Sequence, residues 1–286
     1  MKLELDFVKC NPVHNMTILV KTEYPVEQHL HIASQMMAYH HLYAEQVGFV
    51  EKASRLDCAA RLQMAGGEFC GNACMSLAAY LAAEQNLPEG GKTEFALEAS
   101  GAAMPVHCQV KQDGGAYICE VEMPVPERLE RASVSVEGRD IELGIVRYRD
   151  SFHAIIEVEH VDHLARAMSE RLARLLGIAS GGSLVGIMLY RSASNELLPL
   201  IYVPALNSMI WEQGCGSGTA SLGAYLAWSR QQNIAIPIRQ PGGCIHVIAA
   251  CSNGQISSLR IKSSVSIVAQ GRAYVDDNIQ NLGGRC

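Results

Sequence analysis

Most of the chain alternates between apolar and polar positions, and two short stretches do not. The alternating runs predict strands at the N-terminus (Met1 to Asp6) and at Arg55 to Met64, Thr93 to Leu97, Met104 to Val110 and Ala116 to Met123. In the second half, strands are expected at Ser133 to Val136, Ile141 to Tyr148, His153 to Val158, Leu184 to Tyr190 and Leu198 to Val203. Three more are expected at Ile234 to Arg239, Cys244 to Ala250 and Ser257 to Ile261. Helical spacing predicts a helix over residues 26–42, with Leu30, Ala33, Met37 and Tyr39 to Leu42 on its buried face. A charged amphipathic helix from Val161 to Leu176 is expected to end at Gly177. The two exceptions are Ala/Leu/Tyr runs of helix-forming composition, one reaching about Gln85 before Asn86-Leu87-Pro88, the other about Gln232. Pro124-Val125-Pro126 reads as a linker and places a boundary between residues 1–124 and 125–263. Helix-plus-strand units of this kind indicate an α+β architecture.

The two exceptional runs are copies of each other. Cys70-Gly71-Asn72-Ala73-Cys74-Met75-Ser76-Leu77-Ala78-Ala79-Tyr80-Leu81-Ala82 returns 145 residues later as Cys215-Gly216-Ser217-Gly218-Thr219-Ala220-Ser221-Leu222-Gly223-Ala224-Tyr225-Leu226-Ala227, with eight of thirteen positions identical. A repeat this specific implies two halves built on one plan, each presenting a cysteine at or just before a helix N-terminus. A thiol there has its pKa lowered by the helix dipole. The N–H groups beside it can hold a carboxylate, and the neighbouring glycines let a ligand approach the backbone. If the two half-sites face each other, one carboxylate is held between two helix ends with a sulfur on either side. That arrangement removes a proton from one face of a carbon and returns one to the other.

Composition narrows the surroundings of this chemistry. A net charge of −6 gives no basic footprint, so nucleic acid is not an expected partner. No run of eighteen apolar residues predicts a membrane span, and the early acidic residues speak against a signal peptide. Ten cysteines in such a chain suggest a reducing cytoplasm, with Cys10, Cys58, Cys108, Cys119, Cys244 and Cys251 read as core packing. Cys74 lies one turn after Cys70, but its counterpart is Thr219, so packing explains it better than a metal pair. His29, His31, His40 and His41 share no single face and read as solvated or lightly packed. No metal and no cofactor are expected, and no lysine context suggests pyridoxal phosphate. A small-molecule amino acid is the expected partner, and a homodimer the default assembly.

The paired motifs Cys70-Gly71-Asn72-Ala73 and Cys215-Gly216-Ser217-Gly218 resemble the two catalytic cysteine motifs of the diaminopimelate epimerase family, the cofactor-independent two-cysteine racemases. Phe7-Val8-Lys9-Cys10 through His14-Asn15 resembles that family's opening strand and turn, Asp150-Ser151-Phe152-His153 its Gly-Asn-Pro-His segment, and Gln240-Pro241-Gly242-Gly243 its Pro-Gly-Gly element. The resemblance implies two pseudo-symmetric halves, each a curled, mostly antiparallel sheet wrapped around a central helix. It also implies that a final strand over 264–286 returns to the first half. It makes Cys70 and Cys215 the two acid/base residues, with backbone amides at Gly71, Asn72, Gly216, Ser217 and Gly218 around the substrate carboxylate. Asn15 matches a substrate-contacting asparagine, though a turn-forming asparagine reads equally well. Gln46 matches a side-chain amide near the substrate, and Glu45 beside it could meet a substrate cation. His153 matches a histidine that tunes the thiols; a satisfied core histidine is the competing reading.

Departures from the family pattern bear on the substrate. Ala73 and Met75 replace a glycine and an arginine, the family's Glu-Arg pair falls near Leu206-Asn207, and Ser151 stands for an asparagine. Loss of an arginine that would grip a second carboxylate argues against diaminopimelate. The departures resemble those of the histidine racemases of staphylopine-type metallophore biosynthesis, which implies interconversion of L- and D-histidine. Diaminopimelate or another amino acid is the alternative within the class. A related dehydratase and a non-catalytic redox or metal-binding protein are the alternatives outside it.

Overall fold

A computed structural model describes residues 2–136, 138–149, 151–180, 184–204 and 207–277, and the chain divides into two compact units, Met1–Val121 with Ser263–Cys286 and Glu122–Lys262. Asp150, Leu206 and residues 278–286, which carried sequence-based expectations, lie outside the described residues.

The first unit runs β1 (Lys2–Pro12), β2 (Thr17–Val20), α1 (Val26–Met37), β3 (Gln46–Glu51), β4 (Ala60–Met64), α2 (Gly71–Glu84), β5 (Lys92–Ala99), β6 (Val106–Asp113) and β7 (Ala116–Glu122). Strands β1 to β7 are neighbours in sequence order, antiparallel except at β2–β3 and β4–β5, where α1 and α2 form the crossovers. Helix α2 is apolar on every side and buried from Gly71 to Tyr80, because it packs against β1 to β6 at once.

Helix α1 is shorter than its pattern implied and shows a different face. His29, Ile32, Ala33 and Met36 are buried, while Leu30 is 65% exposed and Tyr39, beyond the helix end, 84% exposed. The buried stripe joins Phe7, Ile18, Val20, Val47 and Phe49 in one cluster. His29 is not solvated: its ring stacks on Phe49 at 3.5 Å and its Nε2 bonds the Tyr24 carbonyl. Strand β4 also starts late. Before it, the Glu98 carboxylate accepts from Ser54 Oγ and the Arg55 N–H, an alternative to strand pairing for those two residues.

The second unit runs β8 (Arg128–Val136), β9 (Arg139–Arg147), β10 (Ser151–Glu157), α3 (His163–Ser180), β11 (Leu184–Arg191), β12 (Glu196–Val203), β13 (Ser208–Trp211), α4 (Gly216–Arg230), β14 (Ile234–Gln240), β15 (Gly243–Ser252) and the start of β16 (Gln255–Asp276), whose residues from Ser263 on belong to the first unit. The order is β16-β15-β14-β12-β11-β10-β9-β8, with β13 on β12, and it is antiparallel except at β10–β11 and β12–β14. Helix α4 packs against β9, β10, β11, β14 and β15, and α3 covers β11 and β12. Gly223 brings α4 close to β15, since a Cβ there would lie 2.3 Å from Val247 Cγ2.

Two expectations fail here. Gly177 does not end α3, which continues to Ser180; a Cβ at Gly177 would lie 2.8 Å from Tyr202 Cε1, so the glycine serves close packing of helix on strand. The strands expected at 257–261 and from Ser264 are one 22-residue strand, β16. Its first part pairs with β15 from Ser252↔Gln255 to His246↔Lys262, and its second part pairs with β1 from Pro12↔Val265 to Lys2↔Asp276. His31 and His41 hold that end through the Asp276 and Tyr274 carbonyls.

Three of the six cysteines assigned to packing, Cys10, Cys108 and Cys119, are buried, as is Cys74. Cys58, in a turn, and Cys251 are half-buried and Cys244 is exposed; in β15 the buried positions are Ile245, Val247 and Ala249, and neither cysteine is among them.

Candidate active site

Both repeated cysteines are N-caps. Cys70 (φ −134°, ψ 108°) precedes α2 and Cys215 (φ −109°, ψ 107°) precedes α4. In each, Sγ accepts from the N–H three residues on: Ala73 at 3.4 Å, Gly218 at 3.3 Å. A cysteine thus occupies the position where serine, threonine or aspartate ordinarily caps a helix. The Gly218 amide, expected among the carboxylate donors, is engaged by its own cysteine in this arrangement. The N–H groups of Gly71, Asn72, Gly216 and Ser217 belong to the first turns, outside the helices' own hydrogen-bond ladders.

In the first unit a part-buried relay leads away from the sulfur. The Cys70 thiol donates to Gln46 Oε1 at 2.9 Å, Gln46 Nε2 donates to Thr17 Oγ1 at 2.7 Å, and the Thr17 hydroxyl donates to the Asn15 carbonyl at 3.1 Å. Asn15 itself follows a turn in which Val13 and His14 both adopt positive φ, rare for non-glycine residues and costly for a β-branched one. That turn is closed by Asn11 Oδ1, which accepts from the His14 N–H, and by the Pro12 carbonyl, which accepts from the Asn15 N–H. Glu45 lies at the surface next to Gln46, its N–H donating to the Met16 carbonyl. Partial burial pushes its carboxyl up, against the Met16 N–H and the charges of Lys9 and His14. So Asn15, Gln46, Glu45, Asn72 and Cys70 belong to one neighbourhood, with Thr17 as a member that sequence reading missed.

In the second unit Cys215 is enclosed, 3% exposed. Its N–H donates to Gln240 Oε1, Gln240 Nε2 donates to Thr219 Oγ1, and the Thr219 hydroxyl returns to the Cys215 carbonyl, each at 2.7 Å. The expected lowering of the thiol pKa does not hold here. Burial, then the Glu212 charge and the Cys215 thiol's hydrogen bond to that carboxylate, raise Cys215 well above the ordinary thiol value, outweighing Ser217 and the Gly218 N–H. Glu212 and Gln213 lie just before the cysteine, and Asn207, at positive φ, belongs to the turn before β13.

His153 bonds Ser221 Oγ through Nδ1 at 2.7 Å, and Tyr148 Oη shares the same hydroxyl at 2.8 Å. Burial lowers the histidine to about 4, so the ring is neutral near pH 7 and brings no positive charge toward the thiol. Room for it comes from Gly186, whose added Cβ would lie 2.3 Å from His153 Cδ2. Burial likewise raises Tyr148 to about 12.

Known proteins match this chain over nearly its whole length. The family model described as "Histidine racemase CntK N-terminal domain" matches residues 4–274. A histidine racemase of Staphylococcus aureus is 34% identical over 274 residues, covering 95% of this chain and 98% of that one. A histidine racemase of Fusobacterium nucleatum is 30% identical over 275 residues, covering 95% and 97%. At 12% identity the fold is shared with a hydroxyproline epimerase from Agrobacterium vitis (TM-score 0.71; 96% of this chain, 93% of that one). It is shared at the same identity with a phenazine biosynthesis protein of the PhzF family from Bacillus anthracis (TM-score 0.66; 96% and 100%). The chain belongs to the histidine racemase family.

Proposed function

We propose that this protein interconverts L- and D-histidine without a cofactor, with Cys70 and Cys215 as its two acid/base groups. The observation that carries the reading is the duplicated cap: two cysteines, in the two copies of one motif, each with its sulfur bonded to the N–H three residues along a buried helix. The names of the curated relatives support histidine as the substrate.

In one direction the Cys70 thiolate removes the Cα proton and the Cys215 thiol gives its proton to the opposite face; the reverse reaction exchanges the roles. Each proton transfer contributes roughly 10²–10⁴-fold. The harder requirement is stabilising charge at Cα, and first-turn amides at Gly71, Asn72, Gly216 and Ser217 answer it by holding the carboxylate. Glu212 as acceptor for the Cys215 thiol favours its protonated form, suited to an acid. Asn15, Gln46 and Glu45 supply polar and anionic groups for an amine or imidazole. His153, neutral and bonded to Ser221, supports the wall behind α4 rather than the charge balance. A reducing cytoplasm suits two working thiols, and a homodimer is the assembly for sedimentation analysis to test.

The test is incubation with L-histidine in deuterium oxide. Deuterium is expected at Cα as D-histidine accumulates, and both are lost in Cys70→Ser and Cys215→Ser. Racemisation by either variant at near wild-type rates would refute the assignment.

A further inference from the structure

Each cysteine is preceded by a loop, and in both units the same carbonyl of that loop is captured by the same turn. The residue two before Cys70 is Glu68, and the Ser100 hydroxyl donates to its carbonyl at 2.7 Å. The residue two before Cys215 is Gln213, and the Gly242 N–H donates to its carbonyl at 2.8 Å. Ser100 and Gly242 stand in equivalent places, each in the turn after the strand that follows the central helix (β5–β6 and β14–β15). The donors differ in chemistry, a hydroxyl in one unit and a main-chain amide in the other. Both turns reach further. Ser100 Oγ also accepts from the Met64 N–H at 2.9 Å, tying the strand that enters the loop to the loop itself. Gly101, at φ +71°, comes so near the backbone that a Cβ would lie 2.4 Å from Phe69 N, which neither the conformation nor the neighbour allows. In the other unit Gln240, the last residue before the turn, closes the ring through Cys215 and Thr219 with its side-chain amide.

We infer that these two turns are the positioning devices of the two thiols, with Ser100 fixing the loop that carries Cys70 and Gln240 fixing the cap conformation of Cys215. The inference rests on the acid/base roles proposed for the cysteines. An N-cap residue keeps extended φ and ψ while its neighbour is already helical, so its sulfur direction is set by whatever holds the preceding backbone. Ser100 and Gln240 do that from 30 and 25 residues away in sequence, each for one cysteine only. Neither is a catalytic residue.

The experiment compares Ser100→Ala, Ser100→Thr and Gln240→Met in the full chain, after thermal melts have established that each folds. Displacing one reacting sulfur by a fraction of an ångström is expected to lower kcat for L-histidine by about 10–100-fold with little change in KM, and Ser100→Thr, which keeps the hydroxyl, restores it. The deciding readout needs no turnover. Each thiol is modified with methyl methanethiosulfonate across pH and quantified by peptide mass spectrometry. Ser100→Ala is expected to change the rate and pH profile of Cys70 severalfold and leave Cys215 as it was; Gln240→Met does the converse. Folded variants in which both thiols respond alike, or neither responds, overturn the inference. Failure of the histidine reaction would appear separately, as absent deuterium exchange in the wild-type protein.

Discussion

Acidification should destabilise this protein through one buried ring. His153 is 2% exposed and wedged beside Gly186 and the edge of Tyr148, with Ser221 its hydrogen-bonding partner. Its pKa falls from the ordinary 6.5 to about 4 because burial disfavours the imidazolium. An unfolded chain takes up the proton near 6.5 and the folded one does not until about 4. Stability from keeping the ring neutral is therefore complete above 6.5 and lost as pH falls toward 4. At about 1.4 kcal/mol per pH unit the whole effect is about 3 kcal/mol, a large share of a typical domain's stability. Tyr148, raised to about 12, stays neutral throughout and offers the imidazolium no counter-charge. The perturbation is His153→Asn, which keeps a polar atom near Ser221 and removes the titration. Urea unfolding of both proteins between about pH 7.5 and 4.5 separates this group from the carboxylates, which they share. The wild-type curve is expected to fall more steeply by most of that 3 kcal/mol; parallel curves would show that burial does not govern this histidine.

Three other outcomes are expected. For either enantiomer, kcat/KM should climb with pH above neutrality, because burial and Glu212 hold Cys215 protonated and a thiolate is needed in one direction; a profile flat from about pH 7 to 10 contradicts this. Gly223→Ala should lower the melting temperature. The gain of about 1 kcal/mol in helix propensity is outweighed by roughly 1–3 kcal/mol of overpacking against Val247, a stiff, fully buried side chain. Thr17→Val keeps the volume but deprives Gln46 Nε2 of its acceptor, at a cost of about 1–3 kcal/mol by chemical denaturation, and unchanged stability would mean the relay is not closed as described.

The cysteine caps were legible because a repeat fixes local geometry twice, and small residues followed by an Ala/Leu run leave little choice of conformation. The face of α1 was not, since Leu30 and Tyr39 count as apolar whether or not a strand waits beneath them, and His29 counts as polar even when stacked on Phe49. Gly177 shows the same ambiguity: a helix terminator by composition, a packing notch against Tyr202 in fact. Gln240 has the sequence character of a turn residue, but its bond to Cys215 spans 25 residues and follows from no local pattern. Glu212 lies three residues before Cys215, and no spacing rule distinguishes it.

Strand β16 has a consequence for how the chain is made. Strand β1 has β2 as one neighbour, and its other edge is complemented by residues 265–276, which are synthesised long after it. Until then the N-terminal unit carries an unsatisfied row of amides and carbonyls along β1, the kind of edge that recruits other strands. Folding of the N-terminal unit should therefore be sensitive to anything that delays synthesis of residues 265–276, and a fragment ending at Val121 lacks a component of its own fold.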